Sequence, residues 1–148
     1  MGSLDTVLGT NSQAQATLSP AEAFAALTLA ATSVDGYLSD DEARCISSVL
    51  SRLKLFRNYT NDLITRLLEK ILSILRQDGL NVLFNTAKES LTQDLREAAF
   101  AVATDLLLSK GMVTDEETNF LNDLYQALEI PRDLAIQIVQ VIVIKNCV

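Results

Sequence analysis

The chain has 148 residues, enough to bury a sizeable core as one domain. Hydrophobic residues make up 49%, Gly and Pro are scarce and Trp is absent, which excludes a disordered body and favours helices over a turn-rich β fold. A net charge of -7 without any Lys/Arg run excludes a general nucleic-acid binder, and the absence of His with only two isolated cysteines, Cys45 and Cys147, excludes a disulfide framework and disfavours a transition-metal site.

Residues 1–18 are small and polar with Leu4, Val7 and Leu8 among them, and read as an N-terminal arm preceding a helical domain over 19–148. No basic stretch followed by an apolar core is seen there. The longest apolar run, Leu134 to Ile144, is interrupted by Gln137 and Gln140 and is too short to span a bilayer. The expectation is a reduced, cytoplasmic chain without a transmembrane segment.

Ser19-Pro20-Ala21-Glu22 starts the first helix, with Ser19 as N-cap and Glu22 closing a capping box. That helix is expected to run to about Val34, with Phe24, Leu27, Ala30 and Ala31 inward. A turn at 35–38 leads to the cap Ser39 and its partner Glu42, then to a second helix with Ile46, Val49, Leu50 and Leu53 inward. Residues 54–61 read as a loop. A third helix starts near Thr60 and runs to about Asp78, apolar at 63, 64, 67, 68, 71, 72 and 75, and Gly79 suits its end. A short fourth helix over 80–90 points Val82, Leu83 and Phe84 inward. Thr92 caps a fifth, with Leu95, Ala98, Ala99, Val102, Leu106 and Leu107 inward. Thr114 and Glu117 box the start of a sixth, which carries Leu121, Leu124, Tyr125 and Leu128. Pro131 opens a seventh, running to about Lys145, apolar nearly all round and therefore expected to be buried. The fold class is all-α, a single-domain bundle of about seven helices.

Gly36-Tyr37-Leu38-Ser39-Asp40-Asp41-Glu42 returns 75 positions later as Gly111-Met112-Val113-Thr114-Asp115-Glu116-Glu117. The same offset lays the sixth helix on the second and the fifth on the first. After a four-residue insertion, Asp62-Leu63 matches Asp133-Leu134. The pattern reads as an internal three-helix duplication joined by the fourth helix.

Ala31 to Glu42, with Asp35-Gly36 followed by Leu38, Ser39 and Glu42, resembles the acidic-turn signature of the TerB-like tellurite-resistance family, and Gly111 to Glu117 resembles that family's second turn. The resemblance covers about residues 20–146. It implies a helical bundle, a proposed metal-binding acidic surface, and a link to tellurite resistance and stress responses.

The first turn also compares with the calcium loop of an EF-hand. Asp35, Gly36, Leu38, Ser39 and Glu42 fall at suitable positions, but the two leading ligand positions are Ala31 and Ser33. In the second copy Lys110 replaces Asp35. Two readings therefore stand side by side. One is a divalent-cation site of the calcium or magnesium class using Asp35 and Glu42. The other is plain capping, in which Asp40, Asp41, Asp115 and Glu116 complement the helix dipole. Asp105, within an apolar helix, is expected to be partly exposed or paired with an arginine, or else to share an acidic pocket with Asp35. No nucleophile–base pair or phosphate-binding loop is visible. The expected function is a non-enzymatic stress-response-type domain with an acidic, cation-binding surface. The alternative is a protein-interaction or self-association module whose acidic caps are structural.

Overall fold

A computed structural model describes residues 18–32, 38–109 and 114–147. Among these residues there are seven α-helices and no strand: α1 (Pro20–Thr32), α2 (Asp40–Ser51), α3 (Asn61–Asp78), α4 (Leu80–Glu89), α5 (Gln93–Leu108), α6 (Asp115–Ala127) and α7 (Arg132–Lys145). The all-α bundle is as the sequence pattern requires.

The bundle is built on α1. Its alanines keep it slim, so α3, α4 and α5 all pack directly against it. Every residue from Ala23 to Ala31 is buried, although the sequence suggests one inward face only. Thr28 is also fully buried, and its hydroxyl donates to the Phe24 carbonyl at 3.0 Å, so no polar atom is left open to the apolar surroundings. In α5, Thr104 donates to the Phe100 carbonyl at 2.7 Å in the same way. Phe24 meets Phe56 edge-on, and Phe100 meets Tyr125 edge-on. These matched pairs in α1 and α5 stand 76 residues apart, not the 75 that separates the two capping boxes.

Three details depart from the sequence expectation. Lys54–Phe56 is a turn of 3-10 helix, not plain loop, and it drives Phe56 fully into the core against Phe24 and Tyr59. Val82 and Ala98 face outward, and Leu63 is largely exposed, because each lies beyond the contact edge of its helix. Leu18, placed with the N-terminal arm, is buried in the core. The larger departure is α7. Only Ala135 in it is buried, because among the described residues α7 rests mainly on α5 and, more lightly, on α6.

Gly79 joins α3 to α4 without a loop. Its φ of 90° lies in the left-handed region that side chains disfavour, and this lets one residue end α3 and begin α4.

Glu22 closes the first capping box and also accepts from Lys70 Nζ of α3 at 2.7 Å, which ties α1 to α3. Partial burial works to raise the Glu22 carboxyl. The hydrogen bonds from Lys70 and the Ser19 backbone, with the Lys70 charge, outweigh it and hold the group below its ordinary 4.5. A carboxyl lowered on folding stabilises the folded state above its unfolded pKa, and that contribution is lost as pH falls through the folded value. Glu22→Gln can still cap, so it is expected to be less stable than wild type at neutral pH, with the urea midpoints of the two converging as acid protonates the Glu22 carboxyl. Ala26→Leu, which adds three carbons where α1 has no free side, is expected to cost about 1–3 kcal/mol in the same measurement.

Candidate functional site

The acidic turns come first. Ser39 is the N-cap of α2, its backbone N–H donates to Glu42 Oε1 at 3.0 Å, and the Glu42 N–H donates to Ser39 Oγ at 3.1 Å. Thr114 and Glu117 repeat this at α6 with distances of 3.0 and 3.1 Å. Ser19 and Glu22 make a third such box, at 2.9 and 3.1 Å. No Asp-Gly turn precedes the third box in the sequence. The box thus starts three of the seven described helices, α1 among them without an Asp-Gly turn before it, and it does not by itself mark a ligand site.

Of the two residues expected to hold a cation, Glu42 lies at the third position of α2 with one carboxylate oxygen engaged by the cap. Asp35 lies outside the described residues, as do Gly36, Lys110 and Gly111. Among the described residues no group of three or more His, Cys, Asp or Glu side chains is placed to hold a metal ion. The flanks of the two turns do converge. Thr32, Glu42, Cys45, Ile46, Leu106 and Ser109 line a small cavity of about 60 Å³ where α1, α2 and α5 meet. Asp105, half-buried, accepts from Lys145 Nζ at 3.0 and 3.1 Å and from Asn146 Nδ2 at 3.0 Å. Its cationic partner is thus a lysine from the end of α7, not an arginine.

The second candidate is the outward face of α7, which sequence reasoning assigned to the interior. α3 supplies the comparison, since its outward positions and those of α7 are exposed alike when Asp62 is set on Asp133. Ile64 and Ala135 are both buried. Thr65, Arg66, Glu69, Lys70 and Ser73 are all exposed, and so are the five α7 residues that match them: Ile136, Gln137, Gln140, Val141 and Ile144. The same geometry therefore carries opposite chemistry. The outward face of α3 is polar and charged. That of α7 has no charge from 134 to 144.

Four of the six large apolar side chains exposed among the described residues belong to α7: Ile136 (42%), Val141 (62%), Val143 (46%) and Ile144 (70%). Scattered single apolar residues are normal on a surface, but four within nine residues of one helix form a patch. The signal was present in the sequence as an apolar run. Its meaning was hidden, because a helix apolar all round reads as buried whether the chain or another molecule covers it.

Compared with protein-family models, with curated proteins and with solved structures, the chain matches none. The resemblance to the TerB-like family therefore rests on the motif residues alone.

Ser39→Ala and Thr114→Ala each remove the side-chain acceptor of a box and are expected to lower stability by about 0.5–2 kcal/mol, read as urea midpoints. Glu42→Gln, which can still accept from the Ser39 N–H, is expected to stay within about 0.5 kcal/mol of wild type.

Proposed function

We propose that this chain is a non-enzymatic protein-interaction domain that docks a partner through the outward face of α7. The observation that carries the reading is the contrast between two helices exposed at matching outward positions. Where α3 presents Arg66, Glu69 and Lys70 to solvent, α7 presents Gln140 and Val141 among isoleucines and valines. Exposed apolar side chains at helical spacing gain free energy when another apolar helix face covers them, about 25 cal/mol per Å² of apolar area removed from water. Two neutral glutamines within the patch supply hydrogen bonds without the desolvation cost of a charge.

A second reading keeps the cation surface and the tellurite-type stress role that the family resemblance suggests. The observation favouring it is the convergence of the flanks of both turns on one cavity, with Glu42 on its wall. Its signature is a saturable heat on calcium or magnesium titration that Asp35→Asn/Glu42→Gln abolishes.

The docking reading is tested by a photo-crosslinking amino acid placed at Val141 and, as control, at Lys70, its counterpart on α3. In cells expressing the full chain, discrete adducts are expected from position 141 and not from position 70. The same adduct pattern from both positions, or none from 141, contradicts the reading.

A further inference from the structure

We infer that the partner of the α7 face is a second copy of this chain, with the two α7 helices antiparallel and a two-fold axis passing beside Gln140. This deepens the docking reading and rests on it.

From Ile136 to Ile144 the residues run Ile-Gln-Ile-Val-Gln-Val-Ile-Val-Ile. Read outward from Gln140 in both directions, the order is Val and Val, Ile and Ile, Gln and Val, Ile and Ile. The run is palindromic but for Gln137 and Val143. In an antiparallel helix pair, positions equally spaced on either side of the axis face each other, and a two-fold interface must complement itself. Ile136 of one copy then meets Ile144 of the other, and Gln140 meets Gln140. A glutamine amide both donates and accepts, so the central pair can satisfy itself across the axis.

Exposure selects which of these residues take part. Ile136, Gln140 and Ile144 are all exposed and are spaced four apart, so they form one ridge along the outward side of α7. Val141 and Val143 flank that ridge and are exposed as well. Ile138 and Ile142, the other matched pair of the palindrome, are partly buried against the core and support the ridge from beneath.

Charge points the same way. Each copy carries -7, so two copies repel least when they meet through a surface free of charge. The face is uncharged from 134 to 144, with Asp133 just before it and Lys145 just after it. Antiparallel pairing brings the Asp133 end of one helix toward the Lys145 end of the other and opposes the two helix dipoles. Parallel pairing would align like with like.

The test uses the full chain. Sedimentation equilibrium is expected to show a monomer–dimer equilibrium in the range of about 1–100 μM, as suits a modest patch. Added salt should strengthen the association by screening the repulsion. Giving α7 the outward residues of α3, as Ile136→Thr/Val141→Lys/Ile144→Ser, is expected to leave helicity and thermal unfolding of the monomer unchanged and to weaken association at least tenfold. In a Cys45→Ser/Cys147→Ser background, Gln140→Cys should form a disulfide-linked dimer on mild oxidation. Ile136→Cys alone should not, but it should crosslink when mixed with Ile144→Cys. Self-crosslinking of Ile136→Cys would mean parallel pairing and would overturn the proposed arrangement. A chain that stays monomeric at about 0.5 mM would overturn self-association altogether. The docking reading would then stand or fall on the adducts from position 141: adducts of mass other than a doubled chain would support it without the dimer, and no adduct would remove both.

Discussion

Everything in this fold depends on surrounding α1. A helix with alanine at 21, 23, 25, 26, 30 and 31 offers little side-chain volume, so it gains stability only if its neighbours approach closely on every side. The bundle supplies that enclosure with α3, α4 and α5. α4 has no space for a loop at its start, and the left-handed Gly79 lets it fold straight back onto α1. Thr28 satisfies its hydroxyl inside its own helix, which allows a polar residue to sit at the centre without a partner from elsewhere. A core of this kind should be intolerant of added volume and comparatively indifferent to its surface charges.

The same enclosure explains what is open elsewhere. α5 resembles α1 in the hydrogen bond its threonine donates to a phenylalanine carbonyl and in its aromatic contact, yet Asp94 and Ala98 are exposed and Ala101 and Asp105 only half-buried along one strip. α3 is covered by α1, α2 and α4, whereas α7 rests on α5 with a lighter contact to α6. Residues buried in α3, such as Leu67, Leu68 and Ile71, have partly open counterparts in Ile138, Val139 and Ile142. The second half of the chain thus has a lighter covering than the first, and it is there that the outward residues turn apolar.

Helix boundaries were legible because caps are local chemistry. Ser19, Ser39, Thr60, Thr92 and Thr114 could be read as N-caps or helix starts from their neighbours alone, and each accepts the backbone hydrogen bond expected of a cap. Burial was less legible because it depends on which helix covers which. Phe56 looked like a loop residue and is fully enclosed. α7 looked like a core helix and is mostly at the surface. Of the candidate cation residues, Glu42 was read correctly as a capping-box residue, while Asp35 lies outside the described residues. The uncharged face of α7 was visible as a run of letters, but only its position in the bundle turns that run into a surface.

The central claim is that the outward side of α7 is covered in the working protein by α7 of a second copy of the chain. Hydrogen exchange of the α7 backbone, followed by mass spectrometry at low and at high protein concentration, tests it most directly. Because α7 is thinly covered in the monomer, its amides should exchange faster than those of α1 when dilute. The account predicts that exchange over 136–144 slows as concentration rises while exchange over α1 and α3 does not change. Exchange in α7 that is independent of concentration, or that slows equally throughout the chain, would contradict it.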